Sequence, residues 1–140
     1  MKRICVIGAG VVGSVAAFYL SDAGFEVDVY DTSIGQATSA AVGIICPWVS
    51  QRRNKVWYQL VEDGAKFYHQ LVNDLEDPSF YTKSGSLHLH KNLEKLYQLA
   101  LKRQETAHIL GSIEILKGDA LKPYVMEGVH LEEALYIEGA

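Results

Sequence analysis

Ile4-Cys5-Val6-Ile7-Gly8-Ala9-Gly10-Val11-Val12-Gly13, an apolar run on to Leu20, and then Glu26-Val27-Asp28-Val29-Tyr30-Asp31 decide the fold. The order is strand, glycine turn, helix, and a second strand ending in a carboxylate. That is the pattern of a βαβ unit built to hold a dinucleotide. Gly8 permits the tight turn at the strand end. Gly10 lets the backbone approach a diphosphate, and Gly13 lets the helix pack on the strand. Amides at the helix start then face the phosphates, and the helix dipole favours their charge. Asp31, 18 residues after Gly13, can accept hydrogen bonds from ribose hydroxyls.

Two rival readings of this stretch are weaker. A structural glycine turn leaves the helical spacing of Val11, Val12, Val15, Ala16, Phe18, Tyr19 and Leu20 and the terminal Asp31 unexplained. A secretory signal peptide would account for Lys2-Arg3 ahead of an apolar run, but not for three glycines at phosphate-loop spacing. The run is also too short and too glycine-broken for a transmembrane segment.

Composition sets outer bounds. The chain has 140 residues, 49% of them hydrophobic, and a net charge of −4. That suffices for a real core and gives no basic surface for nucleic acid. Cys5 and Cys46 read as reduced, buried thiols of a cytoplasmic protein rather than a disulfide scaffold.

Further along, the pattern predicts strands at 3–7 and 26–30, a helix at 11–23 ended by Ala23-Gly24, and a small-residue loop or short helix over 33–46. A long helix over 52–75 carries two adjacent apolar stripes. One is Trp57, Val61, Gly64, Tyr68 and Val72; the other is Val56, Leu60, Phe67, Leu71 and Leu75. Gly64 within that face reads as a point of close approach, and Asp77-Pro78 as a stop. Asp74, Glu76 and Asp77 read as a solvated acidic turn. After Pro78 the texture changes. Ser86 to His90 alternates as a strand, Asn92 caps a helix over 93–110, and a short strand covers 113–116. Asp119 caps a brief helix ended by Pro123, and a last strand covers 134–137. The fold class is α/β, a Rossmann-like βαβ unit over 1–78 followed by the beginning of a mixed α+β substrate or cap region over 79–140. His88 and His90 share a strand face, but no third ligand is evident and no metal is assigned. Cys46 and Trp48 read as core fillers, with Trp57 on the long helix.

The pairing of Gly8-Ala9-Gly10-Val11-Val12-Gly13 and Asp31 with Ala37-Thr38-Ser39-Ala40-Ala41-Val42-Gly43-Ile44 resembles the D-amino acid oxidase family, which includes glycine oxidase, sarcosine oxidase and D-amino acid dehydrogenases. Ser84-Gly85-Ser86-Leu87-His88-Leu89, Gly118 to Pro123 and Ala134-Leu135-Tyr136 extend the resemblance along the whole chain. The resemblance implies FAD. Gly8, Gly10, Val11, Val12 and Gly13 would meet its diphosphate, and Asp31, with Thr32 and Ser33 beside it, the adenosine ribose. Thr38 and Ser39 would reach the phosphate–ribityl region, and Ala41, Val42, Gly43 and Ile44 the isoalloxazine. It also implies hydride transfer from the Cα of a small-molecule amine or amino acid to flavin, followed by imine hydrolysis. Members of that family are longer, and no catalytic residue or carboxylate clamp stands out here. The chain therefore reads as an N-terminal portion, incomplete relative to the family and inactive alone, with strand edges that a homo-oligomer could cover. A nicotinamide-dependent dehydrogenase and a non-catalytic nucleotide-binding module are the alternatives.

Overall fold

The computed structural model describes residues 2–35, 37–75 and 78–139. Gln36 of the small-residue segment, Glu76 and Asp77 of the acidic turn and helix stop, and Ala140 lie outside the described residues. The chain divides into two compact units, Met1–Ile44 and Ile45–Ala140. The sequence pattern places a boundary between 78 and 79; by packing, the division falls after Ile44 and the long helix groups with the later strands.

In the first unit, aliphatic and β-branched residues form β1 (Arg3–Ile7) and β2 (Glu26–Tyr30). They pair in parallel, with Arg3 opposite Glu26 and Ile7 opposite Tyr30. Parallel pairing needs a crossover, supplied by α1 (Val11–Asp22). The helix stops at Gly24, where φ is +83° and the Gly24 and Phe25 amides return to Ser21 O and Leu20 O. Arg3 grips the Asp28 carboxylate through Nε at 2.6 Å and Nη2 at 3.2 Å. This holds the Asp28 carboxyl below its ordinary value, though so exposed a pair adds little stability.

One expectation is corrected here. β1 is not a buried run: Ile4 and Val6 are half-buried, while Arg3, Cys5 and Ile7 face solvent. Among the described residues α1 covers one face of a two-stranded sheet, so alternate side chains have nothing to pack on. Cys5 is therefore an exposed free thiol.

In the second unit, β3 (Ser86–His88), β4 (Ile113–Lys117) and β5 (Glu133–Ile137) form an antiparallel sheet with β5 in the middle. β5 is buried on both faces through Ala134, Leu135 and Ile137. A short helix, α2 (Ala37–Ala40), closes the first unit's small-residue segment. α3 (Lys55–Asp74) and α4 (Leu93–Gln104) follow in the second unit. Ala65 of α3 joins Leu93, Leu96 and Ala100 of α4 in one core with Trp48, Ile113, Leu135 and Ile137. A 3-10 helix, Gly118–Tyr124, lies beside β4 and β5, with Tyr124 and Tyr136 in ring contact at 4.7 Å.

Asn92 caps α4 as expected, accepting from the Lys95 amide at 2.9 Å. Asn54 caps α3 through the Trp57 amide, which moves that helix start from 52 to 55. Asp119 does not cap: the 3-10 helix begins at Gly118, and Asp119 pairs with Lys122 at 2.8 Å. α3 buries less than its pattern offers. Glu62, Ala65 and Leu71 are buried and Trp57, Val61, Tyr68 and Val72 partly so, but Val56 (81%), Leu60 (70%) and Phe67 remain exposed. Nothing lies within 4 Å of where a Cβ on Gly64 would stand, so the expected close approach is not made by the described residues.

The buried Glu62 carboxylate is held by Lys66 Nζ at 2.8 Å and Thr106 Oγ1 at 3.3 Å. Beside it, Arg103 ties α4 to the chain entering the unit. Its guanidinium donates to Pro47 O (3.0 Å), Trp48 O (2.7 Å) and Ser50 O (2.6 Å), and stacks over Tyr58 at 3.9 Å. Removing the cation takes a donor from three carbonyls at once, although Pro47 O still accepts from the Ser50 amide at 3.0 Å. Arg103→Met is expected to lower stability by about 2–4 kcal/mol. Arg103→Lys, which lacks the planar fork, should fall between. Urea unfolding monitored by Trp fluorescence checks both, and unchanged midpoints would contradict the clamp.

Candidate functional site

The turn between β1 and α1 is set by one close approach. A Cβ on Gly13 would stand 1.8 Å from Gly8 O, so only glycine lets the first turn of α1 rest on the strand end. Gly8 itself has φ +99°, a conformation that side chains disfavour. Its amide donates to Tyr30 O at 2.7 Å, continuing the β1–β2 pairing into the turn.

Asp31 joins the two strand ends. Its Oδ2 accepts from the Ala9 amide and its Oδ1 from the Ser33 amide, both at 2.6 Å. The second bond holds Ser33 at φ +58°, an unusual conformation for a residue with a side chain. A carboxylate oxygen can accept more than one hydrogen bond, so hydroxyl donors suit a group of this kind. Beside this lies a cavity of about 580 Å³, lined by Ile7, Gly8 and Gly10 from the turn, Tyr30, Asp31 and Thr32 from the end of β2, and Ile34, Gly35 and Ala37 from the following segment. The Thr38 hydroxyl accepts from the Val11 amide at 3.0 Å, and a Cβ on Gly10 would come within 3.3 Å of it. A narrow backbone cradle, a carboxylate at the second strand end and an apolar-walled cavity fit an adenine dinucleotide.

The structure thus brings together Gly8, Gly10, Val11, Asp31, Thr32, Ser33 and Thr38. Gly13 supports the turn from beneath the helix. Val12 is exposed on α1. Ser39 lies in α2, and the Ala41 amide reaches Thr38 O at 3.4 Å. Val42, Gly43 and Ile44 are exposed and do not line the cavity. Sequence reasoning missed Ala9, whose amide fixes Asp31, and Ser14, whose hydroxyl donates to Ala9 O at 3.0 Å. Their side chains carry no motif signal; Ser14's place one turn into the helix is the only clue.

In the second unit Cys46, Ser86 and His88 converge. Ser86 Oγ lies 2.8 Å from His88 Nε2, and Cys46 Sγ is 3.6 Å from both. Burial pushes the Cys46 thiol up and the His88 imidazole down. His88 is half-buried, and it does not share an open strand face with His90. β3 ends there, so His90 turns instead to Gln51 and Asn92. Among the described residues, no three His, Cys, Asp or Glu side chains are placed to hold a metal ion.

Comparison with known proteins gives a consistent picture. The family described as FAD dependent oxidoreductase matches residues 3–140. The uncharacterized oxidoreductase YurR of Bacillus subtilis (strain 168) is 40% identical, across all of this chain and 40% of the relative. The glycine oxidase of Bacillus licheniformis is 25% identical across 92% of this chain and 39% of its own length. The crystal structure of iminodiacetate oxidase (IdaA) from Chelativorans sp. BNC1 superposes with a TM-score of 0.81 and 28% identity, covering 99% of this chain and 39% of that one. The chain spans about two fifths of the length of these relatives.

Gly13→Ala forces a methyl group into the Gly8 carbonyl, and is expected to cost the first unit about 3 kcal/mol. Amide exchange across β1–β2 measures this, and protection equal to wild type would contradict the packing. The second expectation concerns pH. His88 is held below its ordinary value by burial, so the unfolded chain takes up a proton first as pH falls. The stability this group contributes is complete above the ordinary histidine range, about 6.5, and declines as pH drops through it. His69 is shifted the same way, so His88→Gln should flatten part of the slope. Equal slopes for the two proteins in urea titrations at several pH values would refute the assignment.

Proposed function

The chain belongs to the FAD dependent oxidoreductase family, and from that premise we propose that its first unit holds the adenosine diphosphate half of FAD in a protein oxidising an amine or amino acid. One observation carries the reading: the Asp31 carboxylate bridges the Ala9 and Ser33 amides at the rim of the cavity. In that position it can take ribose hydroxyls while the glycine turn takes the diphosphate. The apolar Ile7 and Ile34 flank the same space and suit the adenine ring.

FAD, when bound, supplies a hydride acceptor for a C–H bond next to nitrogen. The chain's own residues bind and orient it. Thr38 and Ser39 are assigned to the phosphate–ribityl linkage. Ala41, Val42, Gly43 and Ile44, whose side chains are small or apolar, are assigned to the isoalloxazine. Residues 1–78 then form the flavin-binding region and 79–140 the beginning of a substrate or cap region. The printed names of the relatives, glycine oxidase and iminodiacetate oxidase, support a small amine or amino acid as substrate. No helix among the described residues is long and apolar enough to cross a membrane, and a cytoplasmic location is part of the proposal. Because the chain spans two fifths of its relatives, the 140 residues alone are expected to bind cofactor without turnover.

The test is direct. Purified chain mixed with FAD and passed through a desalting column should keep the visible flavin bands, and Gly10→Val should lose them by closing the phosphate approach. Glycine, D-alanine and iminodiacetate should give no oxidation. Equal retention of FAD by wild type and Gly10→Val would refute the site, and turnover by the isolated chain would refute the assignment of catalysis elsewhere.

A further inference from the structure

We propose that Cys46, Ser86 and His88 form a binding site for a thiophilic divalent cation of the zinc type. The Cys46 sulfur and His88 Nε2 are its strong ligands, and the Ser86 hydroxyl is the third. All three residues belong to the second unit, so the inference is independent of the dinucleotide reading of the first.

The three atoms form a closed triangle. Ser86 Oγ is 2.8 Å from His88 Nε2, and Cys46 Sγ is 3.6 Å from each. As a set of hydrogen bonds the triangle is over-supplied. In either tautomer Nε2 offers one lone pair or one proton. The hydroxyl at 2.8 Å satisfies it, and the sulfur gains little by facing the same nitrogen. As a ligand set the triangle fits well. A cation about 1 Å out of the plane of the three atoms would stand about 2.3 Å from the sulfur and about 2.1 Å from nitrogen and oxygen, which are the bond lengths of zinc. Sulfur with imidazole also selects zinc-like ions over magnesium or calcium. Among the described residues no third His, Cys, Asp or Glu joins the pair. The hydroxyl therefore supplies the third donor, and solvent completes a tetrahedron with one open position.

The donors stand on rigid supports. Ser86 and His88 are two apart on β3, opposite the fully buried Ile137 and Leu135 of β5. Cys46 precedes Pro47 and Trp48, whose carbonyls Arg103 holds at 3.0 and 2.7 Å. Little has to move on binding. The three side chains are half-buried, so they are not sealed from solvent. Burial disfavours the charged imidazole of His88, which keeps its nitrogen available as a ligand at neutral pH. Burial pushes the Cys46 thiol up, while the Ser86 hydroxyl and the Trp48 amide act on the sulfur in the opposite direction. As the sulfur–metal bond forms, the thiol proton leaves to solvent; no electron is transferred.

The experiment dialyses the whole chain against zinc chloride and measures the metal retained. The chain carries Cys5→Ser, because Cys5 is an exposed thiol that could hold metal itself. One zinc per chain is expected. Loss of a group that only supports a ligand costs about tenfold in affinity, so Cys46→Ser and His88→Gln should each cost at least that, and Ser86→Ala less than either. With cadmium chloride in place of zinc, a sulfur-to-metal charge-transfer absorption should appear and vanish in Cys46→Ser. No retained zinc, or retention unchanged by Cys46→Ser or His88→Gln, overturns the proposal. If those variants unfold by circular dichroism, the wild-type chain with both cysteines decides. Zinc should then slow alkylation of Cys46 by iodoacetamide and leave that of Cys5 unchanged, and an equal effect on the two thiols overturns the site.

Discussion

The contact between Gly13 and the Gly8 carbonyl governs the first unit. A helix that rests this closely on the end of its strand has its first amides fixed in direction before any ligand arrives. The crossover returns β2 beside β1 in a register that ends with Ile7 opposite Tyr30, so the next residue, Asp31, must stand beside the turn. Its two bonds to the Ala9 and Ser33 amides are a consequence of that register. Each polar group at the rim is therefore placed by backbone geometry, and none depends on a long flexible side chain. Binding groups already in position lose little freedom on binding.

The second unit is held by a different kind of constraint. Its sheet has a central strand buried through Ala134, Leu135 and Ile137, yet two charged groups are partly or fully withdrawn from solvent beside the core. Glu62 is 5% exposed, and Arg103 is half-buried. Removing ions from water is costly unless their hydrogen-bonding capacity is met. Glu62 meets it with Lys66 and Thr106, and Arg103 with three carbonyls and the Tyr58 ring. The result fixes the path of Pro47 to Ser50 more tightly than apolar packing of Trp48 alone could, because carbonyl acceptors specify direction.

Much of this was legible in the residue pattern, for identifiable reasons. The βαβ unit was readable because glycine spacing, helical period and terminal carboxylate are independent signals that agree. Asn92 as a cap was readable because capping is a local matter. The start of α3 was missed by three residues because Asn54, the actual cap, follows two arginines that helices also accept. Val56, Leu60 and Phe67 belong to an apolar stripe yet stay exposed, because periodicity reports what a face suits, while burial depends on what is present to cover it. Cys5 went the same way: an apolar run cannot show which face of a two-stranded sheet stays open. Arg103 gave no signal, since its partners are carbonyls and every residue has one.

The cofactor class could be read from sequence because a turn of this kind offers main-chain amides to a diphosphate, and the cost of that strategy appears as glycine at fixed positions. Substrate chemistry leaves no such imprint on these residues. The groups that would distinguish one amine from another are charged or aromatic side chains at a reacting centre, and any spacing between them depends on tertiary folding rather than on a local turn. Cys46, Ser86 and His88 illustrate the point: they meet across 40 and 42 residues, and nothing in their order along the chain announces it. Dinucleotide recognition is local and therefore written in a short motif; discrimination among substrates is assembled from distant segments, so the 140 residues specify the first far more fully than the second.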